Sequence, residues 1–76
     1  MTNPIISAEG TQYWYRDGEL HRDDGPAVLY TDGTQLWFRN GELHRDDGPA
    51  IISADGSQSW YRDGKFYNSG RGQIND

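Results

Sequence analysis

The side chains best equipped for chemistry sit in one short run, His21, Arg22, Asp23 and Asp24, which recurs as His44, Arg45, Asp46 and Asp47. Imidazole beside carboxylates and a guanidinium is the raw material of acid–base catalysis or of a metal site. Both uses need convergence: a catalytic pair must meet at hydrogen-bonding distance beside a pocket, and zinc needs three or four ligands in one small volume. Two histidines separated by 44 − 21 = 23 positions would converge only in a sharply rolled sheet. The Asp-Asp-Gly loops lack the ligand spacing of an EF-hand, and the HRD triplet has none of the other parts of a kinase around it. The sequence therefore predicts no enzyme, no catalytic residue, no metal and no cofactor. It predicts instead that each histidine stacks on a tryptophan, with Asp23 and Asp46 accepting backbone N–H bonds in Asp-Gly-Pro turns.

A second set of residues suits recognition. Trp14, Trp37 and Trp60 keep company with Arg16, Arg39 and Arg62, and two of the three copies add His21 and His44. Tryptophan and arginine dominate binding hot spots. The structural alternative is that each Trp packs over its own hairpin with an Arg stem across the ring. Asp23, Asp24, Asp46 and Asp47 form a further candidate patch at the loop edge.

What positions these residues is a repeat. WYRDGELHRDDGPA, from Trp14 to Ala27, returns as WFRNGELHRDDGPA from Trp37 to Ala50, and decays to WYRDGKFYNSG from Trp60 to Gly70. Gly10, Gly33 and Gly56 keep the same 23-residue step, as do Gly18, Gly41 and Gly64. Self-similarity of this kind marks a stacked repeat architecture. The chain divides into repeats at about 4–26, 27–49 and 50–72, with 73–76 as a tail, all within one domain spanning 1–76.

The dipeptides Asp17-Gly18, Asn40-Gly41 and Asp63-Gly64 are the ones that take type I′ hairpin turns. Centring the turns there sets Arg16 opposite Glu19, Arg39 opposite Glu42, Tyr15 opposite Leu20, Phe38 opposite Leu43, and Tyr61 opposite Phe66. Trp14 then faces His21, Trp37 faces His44, and Trp60 faces Tyr67, while Arg62 meets Lys65 in a like-charge pair that marks the last hairpin as the weakest. Two-residue turns at Glu9-Gly10, Asp32-Gly33 and Asp55-Gly56 would likewise place Ile6 opposite Tyr13, Leu29 opposite Leu36 and Ile52 opposite Ser59. No stretch shows helical apolar spacing. The expected fold is all-β, an antiparallel meander of repeated β-hairpins forming a single twisted or curled sheet. In that register one face is nearly all apolar, and the other carries Ile5, Val28 and Ile51 beside the tryptophans.

With G-x-x-x-W-[YF] followed by [DN]-G in a glycine-rich 23-residue unit, residues 4–68 resemble the MORN repeat and its bacterial variant relatives. The HR-x-DGPA element is similar to that of short repeat proteins in bacterial, phage and large-virus sequences. The resemblance implies a sheet of hairpins used as an interaction surface, and, as for some MORN proteins, lipid-surface binding as a remote alternative. It brings no catalytic residue.

The bulk properties narrow the function further. A 76-residue chain buries only about 60% of its unfolded surface, so the core is thin. Cysteine is absent, so no disulfide or thiolate site stiffens it. Twelve acidic against seven basic side chains give a net charge of −5, which argues against gripping nucleic acid phosphates and leaves a basic protein surface or a nucleotide-binding groove on another protein as partner. MTNPIISAEG reads as neither a signal peptide nor a membrane span. The expected role is a non-enzymatic protein-binding module in the cytoplasm of a bacterial host, most concretely a phage-encoded inhibitor of a host defence complex of the anti-CRISPR kind. The alternative is a self-assembling repeat, a homodimer for example, that binds a small anionic ligand such as a signalling nucleotide between Trp and Arg. Uncovered faces and open edges favour association in either case.

Overall fold

A computed structural model describes residues 3–70 and shows an all-β chain with no helix among them. Its eleven strands are β1 (Ile5–Ile6), β2 (Gln12–Tyr13), β3 (Tyr15–Arg16), β4 (Glu19–Leu20), β5 (Val28–Leu29), β6 (Gln35–Leu36), β7 (Phe38–Arg39), β8 (Glu42–Leu43), β9 (Ile51–Ile52), β10 (Gln58–Arg62) and β11 (Lys65–Gly70). Every pairing is antiparallel. The meander divides into a seven-stranded sheet in the order β1-β2-β5-β6-β9-β10-β11 and two separate hairpins, β3-β4 and β7-β8, and it does not close into a barrel.

The hairpin turns follow from local chemistry. Asp17 and Gly18 have φ of 52° and 82°, and Asn40-Gly41 and Asp63-Gly64 repeat these values closely. Positive φ at both centres defines the type I′ turn, which only Gly, Asn and Asp adopt at low cost. The predicted register holds here, with Tyr15 opposite Leu20, Arg16 opposite Glu19, Phe38 opposite Leu43, Arg39 opposite Glu42, Tyr61 opposite Phe66 and Arg62 opposite Lys65. The His21 N–H bonds the Trp14 carbonyl at 3.0 Å, and His44 bonds Trp37 in the same way. In the last copy a register shift between Trp60 and Tyr61 sets Trp60 opposite Asn68 instead of Tyr67.

The second set of turns departs from expectation by one residue. Ser7 pairs with Thr11, its carbonyl accepts the Gly10 N–H at 2.9 Å, and of the loop residues only Gly10 has positive φ. This is a three-residue loop ending in a left-handed glycine, and it recurs at Tyr30–Thr34 and Ser53–Ser57. Asp32 and Asp55 add Oδ1 bonds from the Thr34 and Ser57 N–H groups, both 2.9 Å. Strand side chains alternate with period two, so this slip exchanges faces. Val28 pairs with Tyr13 and Leu36, and Ile51 with Leu36 and Ser59, whereas Leu29 and Ile52 align with glutamines. The expected grouping of Ile5, Val28 and Ile51 beside the tryptophans is therefore corrected.

The buried residues are correspondingly few. Ala27 and Ala50 are fully buried, with Val28, Trp14, Thr11, His21 and His44 close behind, while Ile6 and Phe66 stay more than half exposed. At 39 × 26 × 16 Å the molecule is a thin slab. Its interior lies between successive repeats: Ala27 accepts the Trp14 N–H and donates to Leu36, both at 2.8 Å, and Ala50 links Trp37 to Ser59 in the same manner. A larger side chain at either alanine would push neighbouring repeats apart.

Candidate functional site

The HRDDGP loop is built around arginine. The Arg22 guanidinium lies 3.9 Å from the centre of the Trp14 ring, its Nη1 donates to the Pro26 carbonyl at 3.2 Å, and its Nε reaches Asp24 Oδ1 at 3.3 Å. Arg45 does the same over Trp37, with Pro49 and Asp47. A cation over an indole face is worth about 0.5–2 kcal/mol depending on desolvation. A Cβ at Gly25 would stand 2.9 Å from the Arg22 Cζ, so a side chain there would displace the folded-back guanidinium. Arg22 and Arg45 are thus the tryptophan partners, rather than Arg16 and Arg39. The signal available in the sequence was their strict recurrence one position after each histidine. The third copy has Asn68 at this place, and among the described residues no guanidinium covers Trp60, which lies near Gly70.

Each histidine is a link between repeats. His21 Nδ1 accepts the Asn40 N–H at 3.0 Å and Nε2 lies 2.7 Å from Asp23 Oδ1; His44 takes the Asp63 N–H at 3.0 Å and Asp46 at 2.8 Å. Because Nδ1 accepts, Nε2 carries the proton and donates to the carboxylate. With both ring nitrogens occupied and the rings buried, these histidines tie one repeat's loop to the next repeat's turn. The expected backbone bonds to Asp23 and Asp46 give way to these imidazole bonds.

The remaining arginines form a charge row. Arg16 lies 3.7 Å from Asp23 and Arg39 the same distance from Asp46. Arg39 also acts on Asp23, and Arg62 on Asp46, whose carbonyl it bonds at 3.3 Å. Arg62 further lies 5.2 Å from the Tyr67 ring. Between the two HRDDGP loops a cleft of about 250 Å³ is lined by Arg22, Asp23, Trp37, Phe38, Arg39, His44, Asp46 and Asp47. The two patches read separately from sequence, Trp/Arg/His and the aspartates, therefore meet in one place at the middle repeat. Trp14 and Trp60 lie outside it. Asp24 and Asp47 point furthest out, with side chains 89% and 90% exposed. An aromatic wall with three carboxylates against partly neutralised arginines suits a cationic group better than an anion.

The imidazole bond holds the Asp23 and Asp46 carboxyls below their usual value of 3.8, with smaller help from the neighbouring arginines. Asp32 is lowered by the Thr34 backbone bond. A carboxyl depressed in the folded state contributes stability above the unfolded pKa, and that contribution is lost as pH falls through the folded value. Urea midpoints of the parent are expected to fall steeply below about pH 4. Asp23→Asn with Asp46→Asn keeps an acceptor for Nε2–H but removes the titration, so its midpoint should fall less over the same window, with Asp32 supplying the remainder. Parallel curves for parent and variant would refute the assignment.

Among the described residues no group of histidine and acidic side chains has the arrangement of a metal site, and no helix is long and apolar enough to cross a membrane. Comparison with family models, with curated proteins and with solved structures finds no match to this chain.

Proposed function

We propose that this chain is a non-enzymatic, MORN-like repeat module whose acidic loop edge, Asp23, Asp24, Asp46 and Asp47, binds a basic surface of another protein. The observation that supports this most is the asymmetry of engagement at the loops. The guanidinium of each HRDDGP loop is turned inward onto tryptophan and a proline carbonyl and only its Nε reaches Asp24 or Asp47, whose side chains stay 89% and 90% exposed. The net charge of −5 adds long-range attraction to a cationic partner. In its most concrete form the partner is the nucleic-acid-binding surface of a host defence complex, and the module a phage-encoded cytoplasmic inhibitor that occupies it.

Affinity capture from bacterial lysate, repeated with charge-reversed protein, tests the reading. Asp24→Lys with Asp47→Lys should weaken capture of the basic partner at least about tenfold, and moderate salt should do the same to the parent. Capture that survives both, but is lost in Arg39→Glu, would move the site to the Trp37 and Arg39 side of the cleft and overturn the acidic edge.

A further inference from the structure

In the main sheet, β2, β6 and β10 are each flanked on both sides, β2 by β1 and β5, β6 by β5 and β9, and β10 by β9 and β11. The following repeat in turn covers β5 with β6 and β9 with β10, so that Val28 is buried and Ile51 half-buried. Among the described residues no strand follows β11. All six residues from Lys65 to Gly70 are exposed, Phe66 at 56% and Tyr67 at 48%. Its main-chain groups on the outer side form a row roughly 20 Å long at about 3.3 Å per residue. The opposite edge is poorer: β1 has two residues and is preceded by Pro4, which has no N–H to give.

We propose that β11 is a docking edge for a second copy of this chain, joined β11 to β11 about a two-fold axis. Strand direction selects the occupant's orientation. With seven strands in strict antiparallel alternation, β1 and β11 run the same way, so head-to-tail stacking of copies would set them parallel. A two-fold at the β11 edge continues the antiparallel pattern by which the repeats already pair, and closes the assembly at two. The strand also suits itself. Full overlap sets Lys65 against the second copy's Gly70, Phe66 against Ser69 and Tyr67 against Asn68, so the lone charge of the edge never faces its own kind. An interface one strand wide falls in the small, transient class, so association belongs at high micromolar concentration.

Sedimentation velocity of the full chain from about 20 µM to about 1 mM, a range chosen for a transient interface, reads the association directly. The parent should pass from monomer to dimer, and amides of residues 65–70 should gain protection from hydrogen exchange as concentration rises. Tyr67→Glu places like charges beside the two-fold while leaving Arg62 a partner within the monomer, and should weaken the dimer at least about tenfold. Ile6→Lys, at the far edge, should leave it unchanged. A parent that stays monomeric throughout, a dimer that tolerates Tyr67→Glu, or one abolished by Ile6→Lys overturns the proposal. Should Tyr67→Glu unfold the chain, the parent's exchange profile decides, and protection that does not grow at residues 65–70 overturns it equally.

Discussion

Trp14→Ala is expected to leave the protein largely unfolded at room temperature. The ring is 8% exposed, its own N–H and carbonyl join Ala27 to His21, and Arg22 covers its face. Truncating a buried tryptophan costs about 3–5 kcal/mol, the transfer loss plus the cavity. A 76-residue domain at 0.05–0.15 kcal/mol per residue has only about 4–11 kcal/mol in total, and a thin slab belongs near the lower end. Urea denaturation followed by circular dichroism measures the loss. Trp60→Ala provides the comparison, because Trp60 is only half-buried and has Asn68 where Trp14 has Arg22. Its cost should be lower by at least about 1 kcal/mol, the scale of the missing cation–π contact and burial. Equal costs at the two positions would mean that the arginine cover adds nothing.

The contrast between these tryptophans shows where the sequence was informative. Asn40-Gly41 and its equivalents fixed the hairpins because two consecutive positive φ values admit few residues, and the cross-strand pairs then followed by counting. Asp32-Gly33 looks the same as a dipeptide, yet there glycine alone is left-handed and Asp32 caps the Thr34 N–H. Local composition does not separate a two-residue from a three-residue loop, and one residue of slip was enough to move Val28 and Ile51 to the other face. The candidate site was half legible. Trp37, Arg39, Asp46 and Asp47 were each singled out, but their convergence with Asp23 depends on how tightly two repeats stack, which the fully buried alanines Ala27 and Ala50 set. Contacts between positions 19 residues apart, such as His21 with Asn40, are invisible to a reading made one repeat at a time. A clue did exist: histidine is present in the two copies that have a following hairpin to hold, and tyrosine replaces it at Tyr67, after which no further hairpin lies among the described residues.

That asymmetry leads to the second large effect. Where stability is a sum of unit and nearest-neighbour terms, the buried imidazoles contribute to the neighbour term alongside the Arg62 bond to the Asp46 carbonyl. His44→Ala removes the acceptor for the Asp63 N–H and the donor for Asp46, and opens a gap beside the turn. Loss of a buried hydrogen-bonding group costs about 1–3 kcal/mol, so His21→Ala with His44→Ala should remove about 2–6 kcal/mol, enough to melt the parent's margin. The single changes should also be local in a way that a general packing defect is not. Hydrogen exchange should accelerate at the Asp63 amide in His44→Ala and at the Asn40 amide in His21→Ala, each variant sparing the other's turn. The Gly64 amide, which donates to the Leu43 carbonyl at 2.9 Å, should loosen together with Asp63 because the two bonds hold the same turn to the same loop. If His44→Ala changes the urea midpoint negligibly and leaves the Asp63 amide as slow as in the parent, the backbone bonds alone hold the repeats together, and the histidines are free for another use.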